Sequence, residues 1–338
     1  MNNIVDVVGL DIGSSSIKIV ALNKKAGEKI LTAYNIKTIP SGTKYSGMSD
    51  IIKEAFEEIG LCSPEANLAV SGPEVIVRFI NLPKMDKSQL KEALTYEAEK
   101  YIPFNFNEVV LDSLILGDAQ ESGQMNVLLA AAKKEYIESR IKMVERAGIK
   151  VNIMDIAPFA MFNSFFNAEK SLKQGEGYAF LGLGHTQTDV LISTGNAPCF
   201  MRQIQIGGKN VIEELMRGMG IKEKKAQGFV LDVPNKDQAE KESVSRIITE
   251  VIEGLTREIQ LSFGYFENRY NTSISSVYCC GGMTYRAETI NFIKQKLGVD
   301  LLRWDPFEKI KISENLSKSD IDTVAAQLTV GVGLALRD

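Results

Sequence analysis

The sequence predicts an α/β protein built as two lobes, and three observations predict it. Apolar strand-like runs alternate with amphipathic helical segments along the whole chain, which is how a sheet covered by helices reads. A strand–turn–strand pattern occurs twice, at 7–22 and at 178–193. The chain has 338 residues, more than one ordinary compact core holds.

Residues 4–12 read as a buried strand, 13–16 as a Gly-Ser turn and 17–22 as a returning strand. The second copy aligns with Gly13 on Gly184, Ile12 on Leu183 and Val20 on Leu191, so the lobes read as related. Between the copies, Ser49 is placed to cap a helix carrying Ile52, Ala55, Phe56 and Ile59, closed by Gly60. Asp86 and Gln89 form a capping-box start for a helix presenting Leu90, Ala93, Leu94, Ala98 and Tyr101, ended by Pro103. A strand is expected over 127–132, then a helix over 134–147 with Gly148 as its stop. After the second copy, Gly207 and Gly208 precede a helix through Leu215, and a long helix spans about 242–270. A strand at 274–280 ends in Gly281-Gly282, and Thr284 is placed to cap a helix that closes at Gly298. The last helix is expected over 322–337. Linker candidates are 117–123, 175–177 and 234–242.

Composition excludes several classes. Hydrophobic residues make up 44% and charged residues 24%, as in soluble globular chains. The formal net charge is −4, from 39 basic and 43 acidic residues without a basic stripe, so nucleic acid is not an expected partner. The start, Met1-Asn2-Asn3-Ile4, has no positive n-region, and no apolar run reaches the ~20 residues of a membrane helix. A cytoplasmic protein is expected, meeting a membrane only through partners. Cys62, Cys199, Cys279 and Cys280 form no C-x-x-C pair, and with His185 as the single histidine neither a zinc site nor a histidine triad is expected.

Three glycine-containing turns carry the candidate chemistry. In Gly9–Lys18 the turn Gly13-Ser14-Ser15-Ser16 gathers N–H groups and hydroxyls into an anion cradle. Lys18 adds a point charge for a phosphate, and Asp11 is a candidate ligand for hydrated Mg²⁺. The stretch Gly182-Leu183-Gly184-His185-Thr186-Gln187-Thr188-Asp189 is not a dinucleotide fingerprint, because Gln187 replaces the third glycine and a strand follows. It reads as a second phosphate turn, in which Gly184, Thr186 and Thr188 are candidates and His185 either touches a phosphate or merely packs. Gly281-Gly282-Met283 allows a ligand close to the backbone, although a plain strand-to-helix turn reads the same way. No Walker A loop, kinase motif or nucleophile elbow is present.

Together these turns resemble the actin-like ATPase superfamily. Within it the chain is similar to the PilM family of type IV pilus assembly proteins, related to FtsA. The segments 81–85, 97–104 and 127–135 carry that likeness to an inserted small subdomain, called 1C. Residues 202–208, 305–307 and 330–335 add to it. The resemblance implies subdomain 1A from 1–77 with about 150–170 and 320–338, subdomain 1C at 78–149, and a second lobe at 171–319. It implies an ATP site between the lobes: Asp11 through Lys18 on phosphates and Mg²⁺, Gly184 through Thr188 opposite, Gly207 and Gly208 beside the nucleoside, and Gly281, Gly282 and Met283 against the adenosine. The first connecting helix would run from Asp155 to Phe166. The family usually has Asp where Gly182 stands, so binding with slow or no turnover is expected. The implied role is a scaffold at the inner face of the cytoplasmic membrane, gripping the N-terminal peptide of PilN between 1A and 1C and contacting the pilus platform and motor. Residues 86–104 are the stretch to test for that groove. Two alternatives stand beside it. An FtsA-like polymer-former would be expected to carry an amphipathic tail, whereas this sequence ends Leu336-Arg337-Asp338. A small-molecule kinase would need a base such as Asp155, whose place favours a capping role.

Overall fold

A computed structural model describes residues 7–25, 27–61, 64–97, 100–119, 121–167, 172–230 and 238–337. Residues 4–6 of the first expected strand, Cys62, Ala98 and Glu99, linker residues 234–237 and Asp338 lie outside the described residues.

The chain opens with an antiparallel meander of β1 (Val7–Ile12), β2 (Ser16–Lys25) and β3 (Glu28–Thr38). Helix α1 (Tyr45–Glu57) crosses over to β4 (Glu65–Val70), parallel to β1. A separate antiparallel sheet follows, in the order β5-β7-β6, from β5 (Val75–Pro83), α2 (Lys87–Glu97), β6 (Val109–Asp118) and β7 (Gln124–Lys133). Helix α3 (Lys134–Arg146) returns the chain to β8 (Lys150–Ile156), parallel to β4, and α4 (Ala157–Asn167) leads away.

The pattern then repeats. A second meander of β9 (Gly177–Leu183), β10 (Thr188–Thr194) and β11 (Ala197–Ile204) precedes α5 (Gly208–Met219), α6 (Glu223–Val230) and α7 (Gln238–Tyr270). Strand β12 (Ile274–Cys280) pairs parallel to β9, and after α8 (Ala287–Leu297) strand β13 (Asp300–Arg303) pairs parallel to β12. Short β14 (Lys311–Ile312) rejoins the first sheet beside β3, followed by α9 (Lys318–Val324) and α10 (Thr329–Ala335). The orders β3-β2-β1-β4-β8 and β11-β10-β9-β12-β13 are the same topology written twice. No helix among the described residues is long and apolar enough to cross a membrane.

Burial explains the layers. Leu10, Ile17 and Ile19 face α1 and α3, while Val20 and Leu22 on the opposite face meet Leu328, Val332 and Ala335. In the second lobe Leu183, Val190 and Ile192 pack under α5 and α7 through Val211, Leu215, Leu255 and Ile259. Helix α4 joins the lobes with an aromatic cluster: Phe162 and Phe165 meet Phe180, Tyr278 and Trp304 of the second lobe. The Trp304 indole N–H donates to Ser164 Oγ at 3.1 Å, and Ser164 donates to the Met161 carbonyl at 2.8 Å.

Helices α4 and α10 cross with backbones touching. A Cβ at Gly333 would lie 1.7 Å from the Ala160 carbonyl oxygen, and one at Gly9 would lie 2.0 Å from the Gly331 oxygen. Only glycine admits such an approach.

Local expectations hold where the signal is self-contained and fail where tertiary partners compete. Asp86 accepts from the N–H groups of Ser88 and Gln89, and the Asp86 N–H donates back to Gln89 Oε1 at 3.0 Å, completing the capping box. Ser49 is no cap: α1 starts four residues earlier, and the Ser49 hydroxyl donates to the Met143 carbonyl on α3 at 2.9 Å. Thr284 bonds the Gly281 carbonyl within a 3-10 turn, and α8 begins only at Ala287. The expected last helix is broken at Ala325–Gln327, where the Ala326 carbonyl turns to accept the Gly281 N–H at 2.8 Å.

Candidate functional site

The first hairpin is pinned by its buried residues, so its polar tip has one orientation. Ile12 pairs with Ile17, and the Gly13 N–H closes the turn on the Ser16 carbonyl at 3.1 Å. Ser14, Ser15 and Ser16 form the tip. Asp11 and Lys18 are directly opposed across the ladder, and Lys18 Nζ donates to Asp11 Oδ2 at 3.0 Å. A Cβ at Gly13 would lie 2.9 Å from Lys18 Nζ, so glycine leaves the room in which the lysine folds back.

The second hairpin copies the first residue for residue. Leu183 pairs with Thr188, and the Gly184 N–H closes on the Gln187 carbonyl, again at 3.1 Å. Gly182 takes the place of Asp11, and Asp189 takes the place of Lys18. The acid has thus changed strands. Asp189 Oδ1 accepts from Gln187 Nε2 at 2.9 Å and from Gln203 Nε2 at 3.1 Å. Burial pushes this carboxyl up to about 6; the two amides oppose that and the nearby Asp11 charge adds to it.

The turn rests on the start of α5. The N–H groups of Gly208 and Lys209 donate to the carbonyls of Gly184 and His185, at 3.1 and 2.7 Å. A Cβ at Gly207 would lie 2.5 Å from the His185 oxygen. The first helix donors are therefore spent on the hairpin rather than open to an anion. Burial, then the Lys209 charge, lowers the His185 pKa, so the ring is neutral near pH 7. Thr188 is fully buried, and its hydroxyl donates to the Ile206 carbonyl at 2.9 Å, bracing the turn from behind.

Gly281 ends β12 at φ +99°, and a Cβ there would lie 2.4 Å from the Leu183 oxygen, which requires glycine. Met283 is buried beside Gly208. With Val211, Val230, Ile248, Arg286 and Thr289 it lines a small cavity. Arg286 crosses that cavity wall, donating from Nη1 to the Phe229 carbonyl at 3.0 Å and pairing with Glu288 at 2.6 Å.

The two hairpin tips meet: Ser14 Oγ and Thr186 Oγ1 are 3.2 Å apart. The structure therefore gathers Asp11, the serine turn, Lys18, the Gly184–Thr186 turn and, behind it, Gly207, Gly208 and Gly281 to Met283. Asp155 stands apart. Its Oδ1 accepts from the Ile156 N–H at 2.7 Å, and Arg337 lies 3.5 Å from Oδ2. Sequence reasoning gave no role to Asp189 or Arg286. The available signal for Asp189 was the repeat itself, which aligns it with Lys18.

Paired hairpins of one register, set on duplicated sheets and joined by crossing helices, define an actin-like ATPase fold. The ethanolamine utilization protein EutJ of Carboxydothermus hydrogenoformans shares it, with TM-score 0.60, 14% identity and coverage of 98% of this chain and 89% of that one. Over residues 9–338 the chain matches the family of type IV pilus assembly protein PilM, and it belongs to that family. The solved PilM-PilN type IV pilus biogenesis complex is similar at TM-score 0.86 and 26% identity, covering 99% of this chain and 98% of that one. The cell division protein FtsA of Streptococcus pneumoniae (serotype 2, strain D39 / NCTC 7466) is 26% identical over 260 residues, 66% of this chain. That match spans 55% of the FtsA chain.

Proposed function

We propose that this chain is an ATP-binding scaffold of type IV pilus assembly, with little or no turnover, that grips the N-terminal peptide of PilN. The observation that carries the nucleotide part is the pair of equal-register turns facing each other through Ser14 and Thr186.

The donor set suits a magnesium nucleotide. Serine hydroxyls and Lys18 offer donors to phosphate oxygens, and Asp11 offers a hard carboxylate to the cation. Among the described residues no group of three or more His, Cys, Asp or Glu could hold a metal alone, so the cation would share the phosphates. Bound magnesium would neutralise phosphate charge. Lys18 would exchange Asp11 for a phosphate oxygen, and Gly281 to Met283 would take the base once Met283 and Arg286 yield. A micromolar affinity needs about 8 kcal/mol in total, and charge-assisted bonds contribute roughly 1.5–3 each.

The partner part is supported by the similar solved complex, which contains PilN. Within the proposed 1C region at 78–149, α2 buries Leu90 and Leu94 against Ile80, Val127 and Leu129, so the described apolar residues of 86–104 belong to the core. The groove is better sought on the opposite face of this sheet, where Val110 and Leu114 are 46% and 56% exposed. That face continues through Ala132 towards Tyr136, Met154 and Ile156, facing the proposed 1A region. An extended peptide suits such a cleft.

Calorimetric titration with Mg-ATP, then with the PilN peptide, tests both parts. Saturable binding of each is expected. Absence of heat at millimolar ATP would leave a nucleotide-free peptide scaffold.

A further inference from the structure

The second hairpin carries its carboxylate on the returning strand, β10, whereas the first carries Asp11 on the incoming strand, β1. Gly182 and Asp189 are direct cross-strand partners, so their side-chain positions share one face of the sheet. A Cβ at Gly182 would lie 3.5 Å from Asp189 Cβ and 3.7 Å from Asp189 Oδ2. The Asp189 carboxylate, with the Met161 sulfur 3.4 Å from that Cβ, thus borders the space that a longer side chain at 182 would enter. Its two glutamine donors both bond Oδ1, and they leave Oδ2 directed over Gly182. Gln187 belongs to the turn and Gln203 is Asp189's cross-strand partner on β11, so the carboxylate is oriented by both neighbours.

A purely structural acid would be costly here. Asp189 is half-buried, no ion pair among the described residues neutralises it, and a carboxylate drawn partly out of water without a cation is held at a cost. The cation of the first hairpin is engaged elsewhere, since Lys18 pairs with Asp11. A carboxylate kept half-satisfied beside a phosphate turn has the arrangement of a group that waits for a bound cation.

We propose that Asp189, reaching across the ladder, supplies the second-lobe carboxylate that Gly182 omits, and orients the divalent cation of a bound nucleotide from the side opposite Asp11. This rests on the ATP-binding reading above. It also disfavours an acid at 182 while Asp189 is present, because the two would crowd each other with like charge.

The test is calorimetry of the full chain with ATP in magnesium and with ATP in excess chelator. Three proteins are compared: wild type, Asp189→Asn, and the Gly182→Asp, Asp189→Ala double variant, which clears the space beside 182 and moves the acid back across the ladder. Asparagine keeps the shape and an acceptor for both glutamines. The wild type should bind Mg-ATP more tightly than metal-free ATP. Asp189→Asn should lose about tenfold in Mg-ATP affinity, some 1.4 kcal/mol, while metal-free binding stays the same or tightens. The double variant should regain the magnesium gain, which a merely structural role for Asp189 would not produce. Full retention of the magnesium gain in Asp189→Asn overturns the proposal, as does equal loss with and without metal, or no recovery in the double variant. Wild type that binds ATP without any magnesium gain overturns it and leaves the ATP reading standing. Wild type that binds no ATP at all removes both.

Discussion

Ser14 and Thr186 touch hydroxyl to hydroxyl, 3.2 Å apart, although they lie 172 residues apart in sequence. The contact closes the gap into which nucleotide phosphates would pass. On the proposed nucleotide reading, binding would separate the tips, and a covalent lock between them should prevent it. In the Ser14→Cys, Thr186→Cys double variant, mild oxidation should weaken Mg-ATP binding by more than about tenfold, and reductant should restore it. Among the described cysteines, burial pushes the thiols of Cys199, Cys279 and Cys280 up to about 12, which keeps them out of the exchange. Undiminished affinity in the cross-linked protein would place the phosphates elsewhere.

Lys18 is the other element with a decision to make, because its one ammonium holds Asp11 at 3.0 Å now and would hold a phosphate later. Lys18→Ala should weaken ATP binding roughly 10- to 150-fold, from about 1.5–3 kcal/mol of charge-assisted bonding. A dissociation constant that does not move in calorimetry would remove Lys18 from the site.

The duplication was legible because it is local. Gly13 and Gly184 close their turns by the same bond at the same distance, and the apolar residues that set the register lie within a few positions of them. What remained hidden depends on partners distant in sequence. Ser49 has the chemistry of a cap, but Met143, 94 residues away, offers its hydroxyl a buried carbonyl. The break before α10 exists because Gly281 donates to Ala326. Asp189 is the exception, a local feature that the repeat aligns with Lys18, while the described apolar residues of 86–104 could be assigned to core only once the small sheet lay beneath them.

Asp155 makes stability depend on pH. Burial raises its pKa, and the Ile156 N–H and the Arg337 charge oppose that only in part. A carboxyl whose folded pKa exceeds its unfolded value holds its proton more tightly in the folded chain. Its stabilising contribution is complete in acid and is lost as pH rises from the unfolded value through the folded one. Asp155→Asn abolishes that loss. The melting temperature of the variant should therefore gain on wild type as pH rises through that window, and the gap should narrow towards acid. A gap that widens towards acid would mean that the Arg337 pairing outweighs burial.

Gly333 sets two physical rules against each other. In an exposed helix, alanine is better than glycine by about 1 kcal/mol. At Gly333 a methyl would sit 1.7 Å from the Ala160 oxygen, well inside any contact distance, where α10 crosses α4. Neither helix can retreat cheaply, because Val332 and Leu334 are fully buried on one side and Ala160 on the other. Gly333→Ala should therefore destabilise by about 3 kcal/mol or more, as overpacking does. Gly254 on α7 is the control, since a Cβ there meets nothing within 4 Å. Gly254→Ala should stabilise by roughly 0.5–1 kcal/mol. Urea denaturation of the two variants separates the effects. If both gained stability, the helices would have room to part, and the crossing would not be the tight pivot that its geometry describes.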